Sequence, residues 1–222
     1  MLYDKINMLK KNIIEYATLV ENMVDKSTKG LVNKNMVLLD DVLAIDEPKA
    51  NIWEMEIDET CTNMIAQFQP AAKDLRTILM VFKINNDLER IGDHAVNIAQ
   101  SAQYLIERPI VKPFTDTPKM SDTTKSMLRD SINAFINSDA ALAKSVCERD
   151  DIVDDLKNKL TADLTAIMQQ DPSTIERALH ILRITSNLER IADLSTNIGE
   201  DVLFMVNGEI IKHHKQDDVL PK

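Results

Sequence analysis

Apolar side chains recur every three or four residues along most of the chain, a spacing that places them on one face of an α-helix. In the first predicted helix, over residues 3–29, this stripe contains Ile6, Leu9, Ile13 and Val20. The same spacing continues through further segments at 36–45, 52–69, 70–108, 121–135, 140–170 and 172–208. The Asp-Glu-Pro sequence at 46–48 predicts a helix start or a local distortion, because proline fits best in a first helical turn.

Proline positions divide the chain into two halves. The stretch "RPIVKPFTDTPKMSD" contains three prolines, which predicts a non-helical linker over 109–120. Each half then predicts three long helices, and a three-helix antiparallel bundle is the smallest closed arrangement that buries such stripes. We therefore predict an all-α fold of two tandem antiparallel three-helix bundles, over 1–108 and 121–208, with a C-terminal tail over 209–222.

The third predicted helix of each half carries nearly the same phrase. "NNDLERIGDHAVNIA" begins at Asn85, and "TSNLERIADLSTNIG" begins at Thr185. The positions that recur one hundred residues later are Leu88, Glu89, Arg90, Ile91, Asp93, Asn97 and Ile98. This repeat indicates an internal duplication rather than a solenoid, which would need more and shorter repeats.

Two carboxylates of the phrase, Glu89 and Asp93, stand one helical turn apart beside the apolar stripe, as do Glu189 and Asp193. Like charges at this spacing repel by about 0.2–0.5 kcal/mol on an exposed helix. The occurrence of this repulsion at the same place in both halves suggests that a cation lies between the carboxylates. The single pair alone would be unremarkable, because acidic helices contain many such pairs.

The preceding helix of each half supplies further acids if the two helices form an antiparallel hairpin. In the second half, Asp154 and Asp150 then lie level with the repeated acids, and in the first half Glu47 and Glu54 lie near them. The second set is the cleaner one, since Asn51 stands where the first half could carry an acid. Carboxylate oxygens suit hard cations such as magnesium, manganese, calcium or iron, and suit zinc less well.

A second interpretation needs no metal. Arg90 and Arg190 could pair with the acids, which would leave solvated helix faces or a surface that docks another protein. An enzyme is disfavoured, because di-metal carboxylate oxidases need a Glu-x-x-His pair on each of two helices and phosphoryl transfer usually needs a glycine-rich loop. The chain has four glycines and four histidines, and none of the histidines has that spacing.

Composition limits which classes of partner and which cellular compartment we expect for this protein. The net charge is −10 and no basic stripe is present, which disfavours nucleic acid and anionic membrane surfaces. Cys61 and Cys147 lie within helical patterns, which favours small buried side chains in a reducing compartment. No run of about 18 apolar residues and no signal peptide are evident, so we expect a cytoplasmic protein without membrane insertion.

The two repeated phrases, together with "EMEIDETCTNMIAQFQPAAKDLR", "ERDDIVDDL" and "MVNGEI", resemble the signature segments of the PhoU family across nearly the whole chain. The resemblance implies a six-helix protein of two three-helix bundles. It also implies metal clusters held by the acidic pairs, with Glu89, Asp93, Glu189 and Asp193 as ligands and Asp150 and Asp154 as the partner pair. The ions expected there are iron, manganese, magnesium or zinc.

The same resemblance implies a function in bacterial phosphate uptake. Family members repress the phosphate-starvation response when phosphate is plentiful. They are thought to contact the ATPase subunit of the phosphate ABC transporter and a membrane sensor histidine kinase. A homodimer is the family expectation for the oligomeric state.

Overall fold

Helices account for nearly all of the backbone in the computed structural model, which describes residues 2–207. The predicted tail over 209–222 lies outside the described residues. No strand occurs within 2–207. The helices are α1 (Leu2–Val32), α2 (Met36–Asp41), α3 (Glu47–Phe68), α4 (Ala72–Ile106), α5 (Asp116–Asn137), α6 (Ala140–Cys147), α7 (Asp150–Gln170) and α8 (Ile175–Asn207).

Two of the six long helical rods are locally interrupted. A π-helical turn, Val42–Asp46, joins α2 to α3, and the N–H of Glu47 donates to the carbonyl of Val42. Pro48 follows immediately; it has no N–H, and its ring crowds the preceding turn of the helix. The distortion predicted at 46–48 is therefore confirmed as a widened turn within a continuous rod. The second interruption, at residues 148–149, separates α6 from α7.

The predicted linker over 109–120 is too long. Helix α5 begins at Asp116, and Pro118 is its third residue. A proline is tolerated there because the first four N–H groups of a helix have no intrahelical partner. Asp116 is buried and forms an ion pair with Lys159 of α7, with 3.0 Å between Nζ and Oδ2. Residues 116–120 thus belong to the second bundle, and the connection runs over 107–115.

The rods form the two predicted three-helix bundles. Helices α1, α2–α3 and α4 pack together in the first bundle, and α5, α6–α7 and α8 pack together in the second. Helix α4 also packs along α8, and α1 packs along α5, so that one hydrophobic core runs through both bundles. The apolar residues of the repeated phrase, such as Leu88 and Ile91 with Leu188 and Ile191, are fully buried.

The two cysteines are free thiols within the helices. Burial raises the pKa of Cys61 to about 12 and that of Cys147 to about 11. Both side chains therefore stay protonated and act as small packing residues. None of the helices within 2–207 is long and apolar enough to cross a membrane.

Candidate functional site

The repeated phrase places its acids at the edge of the core on α4 and α8. Its leucine and isoleucines point inward, which turns the acids of the same helix toward the groove beside the neighbouring rod. Glu89 is half-buried and Asp93 is exposed, whereas Glu189 and Asp193 are both half-buried. The duplicated sequence thus produces a duplicated acidic surface, one beside α3 and one beside α7.

In the first bundle, Asn85 fixes the register of the α3–α4 hairpin. This buried side chain donates through Nδ2 to the carbonyl of Glu54 and to Oδ1 of Asp58, at 2.9 Å each. The hydrogen bonds place Glu54 of α3 close to Glu89 and Asp93 of α4. We call Glu54, Glu89 and Asp93 the first acidic site.

The carboxylates of the first acidic site repel one another. Burial raises the pKa of Glu89, and the charges of Asp93 and Glu54 raise it further. Burial also raises the pKa of Glu54, with a contribution from Asp58. No lysine or arginine nitrogen of residues 2–207 lies within 4.0 Å of these carboxylates. Arg90 lies 4.0 Å from Asp87, and its charge lowers the pKa of Glu89. The first acidic site therefore has no internal counter-ion in contact with it.

The charges of this site act on a tyrosine of α1. Tyr16 is fully buried, and its hydroxyl has no hydrogen-bond partner among residues 2–207. Burial raises the pKa of Tyr16, and the negative charges of Glu89, Glu54 and Asp93 raise it further. A buried hydroxyl without a partner is costly, by about 1–3 kcal/mol. The site therefore contains an unused hydrogen-bond donor in addition to its acids.

The second acidic site, Glu189, Asp193 and Asp154, differs because a lysine enters it. Lys157 of α7 contacts Glu189, with 2.6 Å between Nζ and Oε1. Burial raises the pKa of Asp193, followed by the charge of Glu189, while Arg190 lowers it. Arg190 reaches Asp193 at 3.3 Å. The charge of Asp154 also raises the pKa of Asp193. The use of these acids and of Asp150 as metal ligands stays a prediction.

The structure places the remaining predicted acids at the margins. Glu47 is the first residue of α3 and follows the buried Asp46. Asp46 forms an ion pair with Lys26, with 2.7 Å between Oδ2 and Nζ. Asp150 begins α7, and its charge contributes to the raised pKa of Cys147. Their part in metal binding stays a prediction.

The described acidic side chains do not converge on a common metal position in this structure. Among residues 2–207, no three Asp, Glu, His or Cys side chains stand close enough together to hold an ion without rearrangement. The donors of the first acidic site are all oxygens on adjacent helices, and flexible glutamates can converge by changing rotamer. Carboxylate oxygens are the donor type that hard cations prefer. In the second acidic site, Lys157 must leave Glu189 first.

Three residues of these sites were not found from the sequence. Tyr16 lies more than 70 residues from Glu89 along the chain, and only the packing of α1 brings them together. Asn85 is part of the quoted phrase, but its counterpart is Thr185, so the repeat gave no signal. Lys157 follows Asp154 by three residues, and this helical spacing could have identified it as a neighbour of the acids.

The fold and the repeated acids define a class of protein: an all-α chain built from two copies of a three-helix unit, each with an acidic pair on its last helix. Both copies match the family model described as "PhoU domain", over residues 13–102 and 117–202. The chain belongs to the PhoU family.

Relatives match over nearly the full length. A protein of Aquifex aeolicus named "Phosphate-specific transport system accessory protein PhoU homolog" is 40% identical over 212 residues, covering 96% of each chain. A Thermotoga maritima protein of the same description, homolog 2, is 33% identical and covers 100% of this chain and 94% of its own. The crystal structure of PhoU from Pseudomonas aeruginosa superposes with a TM-score of 0.90 at 32% identity, covering 94% of this chain and all of that one.

Proposed function

We propose that this protein is an accessory protein of a phosphate-specific transport system and a negative regulator of phosphate uptake and of the phosphate-starvation response. The observation that carries the proposal is full-length similarity to proteins named for that role, at 40% identity in the Aquifex aeolicus relative. Identity of this extent, with both repeats matched, supports a shared function as well as a shared fold.

In this proposal the protein acts in the cytoplasm as an adaptor and a homodimer. Its partners are the ATPase subunit of the phosphate ABC transporter and the sensor histidine kinase of phosphate signalling. The net charge of −10 supports protein partners over nucleic acid.

The proposal includes metal binding at the two acidic sites, by iron, manganese, magnesium or zinc. It is supported by the repetition of a self-repelling carboxylate pair in both bundles and by the oxygen-only donor set. When bound, a cation supplies positive charge between two neighbouring helices. Glu54 of α3 and Glu89 and Asp93 of α4 would hold it in the first bundle, and Asp154, Glu189 and Asp193 in the second. Without it, the carboxylates repel, which loosens each hairpin and weakens the face that partners contact.

No catalytic reaction is part of the proposal. His94 donates a hydrogen bond through Nδ1 to Oδ1 of Asn187 in the other bundle, at 2.8 Å. His180 of α8 stacks on Tyr104 of α4, with ring centroids 3.9 Å apart. These two histidines thus contribute to contacts between α4 and α8, which supports a structural use for them.

The decisive experiment measures metal content by mass spectrometry on untagged protein purified without chelator. Glu89→Ala with Asp93→Ala should remove the metal of the first bundle, and Glu189→Ala with Asp193→Ala that of the second. The control replaces Asp151 and Asp155, an exposed pair on α7 with the same spacing, by alanine. It should leave the metal content unchanged.

The rival function is a metal-free helical scaffold that uses its acidic faces for docking. A pull-down with the purified ATPase subunit, with and without EDTA, separates the two functions. The metal-dependent regulator should lose binding in EDTA and in both alanine pairs. A parent protein that contains no metal and binds the ATPase subunit equally well in EDTA would establish the scaffold.

A further inference from the structure

Two adjoining cavities form a groove between the beginning of α4 and the end of α8, which we call the α4–α8 groove. The larger cavity has a volume of about 590 Å³ and a mainly apolar wall, which contains Leu79, Met80, Phe204, Met205 and Val206. The smaller cavity has a volume of about 340 Å³ and extends toward α1 and the end of α5. Arg76, Met205 and Val206 line both cavities. Cavities of this size hold small organic ligands.

The smaller cavity carries positive charge without a counter-ion. Lys10, Lys73 and Arg76 line it, and none of its lining residues within 2–207 is acidic. No carboxylate of residues 2–207 lies within 4.0 Å of the charged nitrogens of these three side chains. The amine of Lys10 lies instead over the ring of Phe135, 5.8 Å from its centroid. In a chain with a net charge of −10, this concentration of unpaired cations is a place that attracts an anion.

Two further features of the smaller cavity favour oxyanions such as phosphate groups. Ser138 lines the cavity at the end of α5, and its side-chain hydroxyl forms no hydrogen bond with residues 2–207, so it is free to donate one. Helix α4 begins here as well, and its N-cap, Ala71, has no side chain that could cap the helix. The unpaired N–H groups of such a helix end add partial positive charge.

The larger cavity offers an apolar surface instead. Phe204 of α8 and Leu79 of α4 are each 48% exposed, although both are large apolar side chains. Lys83 borders this part of the groove, and its charge is neutralised by Asp201 at 2.9 Å. A ligand that fills the whole groove therefore combines an apolar body with an anionic group. An inorganic anion would leave the apolar wall uncovered, and a purely apolar ligand would leave the three cations unpaired.

We propose that the α4–α8 groove binds a nucleotide, with its phosphates against Lys10, Lys73 and Arg76 and its base against Phe204 and Leu79. Nucleotide bases stack on aromatic side chains, and basic side chains form charge-assisted hydrogen bonds with phosphate oxygens. None of these residues belongs to either acidic site. The inference is therefore independent of the proposed metal binding and adds a ligand to the proposed function.

Isothermal titration calorimetry of the full chain with ATP tests the proposal. The buffer contains EDTA, so that no metal ion bridges ATP to the acidic sites. We expect one saturable site with a Kd below about 1 mM, and binding that weakens as the salt concentration rises. Inorganic phosphate should bind at least about tenfold more weakly than ATP, because it makes no contact with the apolar wall.

One pair of variants examines the cations. Lys73→Gln with Arg76→Gln should weaken ATP binding at least about tenfold, because two charge-assisted hydrogen bonds are lost. The control is Lys49→Gln with Lys119→Gln, which makes the same change in net charge at exposed lysines of α3 and α5. The control should bind ATP as the parent does.

A second pair examines the apolar wall. Phe204→Ala should weaken ATP binding by about 5- to 100-fold and leave the binding of inorganic phosphate unchanged, since only the base contacts the ring. Leu179→Ala is the control, because it removes an apolar side chain of the same helix that is 52% exposed and lies outside the groove lining. It should leave both affinities unchanged.

Three results would overturn the inference: no saturable binding of ATP by the full chain, equal affinities for ATP and inorganic phosphate, or equal losses in the groove variants and their controls. The metal content measured for the proposed function does not bear on these results, because the titrations are done in EDTA. Failure of metal binding and failure of nucleotide binding are thus observed separately.

Discussion

Replacing Lys157 by methionine removes the shorter of the two ion pairs of Glu189 while it keeps most of the side chain's apolar length. The side chains of Lys157 and Glu189 are 32% and 12% exposed, so their ion pair is neither fully buried nor freely solvated. Breaking a buried pair costs about 3–5 kcal/mol, whereas exposed pairs contribute about 0–1 kcal/mol. We therefore expect Lys157→Met to lower the free energy of unfolding by about 1–3 kcal/mol in EDTA.

A loss near 2 kcal/mol corresponds to a decrease in Tm of about 4–8 °C for a chain of this size. Thermal unfolding followed by circular dichroism measures it. The control is Lys144→Met, because Lys144 pairs with Glu148 at 3.7 Å and both side chains are more than 60% exposed. The control should change stability by less than about 0.5 kcal/mol.

Metal should reverse the effect. Without Lys157, only Arg190 remains beside Glu189, at 3.8 Å. The second site of the variant should therefore bind Mn²⁺ about tenfold more tightly for each 1.4 kcal/mol that the pair of Lys157 and Glu189 contributed. Saturating Mn²⁺ should then reverse most of the decrease in Tm. Equal losses with Mn²⁺ and with EDTA, or no loss in EDTA, would refute the view that lysine and metal exchange at this site.

Three further predictions follow from packing and charge. Gly30→Ala should destabilise the protein by about 1–3 kcal/mol in urea unfolding, because its Cβ would stand 2.3 Å from Cδ2 of Leu39. Gly92→Ala should instead stabilise it by up to about 1 kcal/mol, since that Cβ meets nothing nearer than 3.8 Å and alanine favours the helix; the opposite order of the two would contradict the packing described. Burial lowers the pKa of His180 from 6.5, and the charge of Arg183 lowers it further. As pH falls, His180 is therefore protonated in the unfolded chain before it is protonated in the folded one. The contribution of His180 to stability should therefore decrease below pH 6.5, opposite in sign to that of Asp87, whose pKa burial raises to about 6. His180→Phe should remove the contribution of His180 in urea titrations at pH 7 and pH 5.

Helical periodicity predicted the fold because each turn of a long helix places an apolar residue in the core. The start of α5 was predicted too late because proline was interpreted as excluding a helix, although the first turn needs no N–H from Pro118. Glu189 and Asp193 were predicted from the repeated phrase, and Asp154 was predicted from the hairpin register, which depends on the turn at 171–172.

The difference between the two sites could not be predicted in the same way. It depends on Tyr16, whose position relative to Glu89 is set by the packing of α1 against α4 and not by local sequence. It also depends on which carboxylate a flexible lysine selects. In sequence, Lys157 and the two arginines of the repeated phrase are equally plausible counter-ions.

The packing of α4 on α8 and of α1 on α5 means that each bundle covers an apolar face of the other. A bundle produced alone would expose that face, and it could hide it only by associating with a second bundle. The duplicated chain thus has the organisation of two associating subunits that have become covalently linked through residues 107–115. Linkage by a short segment gives an effective concentration in the millimolar range. Assembly of the two halves is therefore independent of how much protein the cell contains.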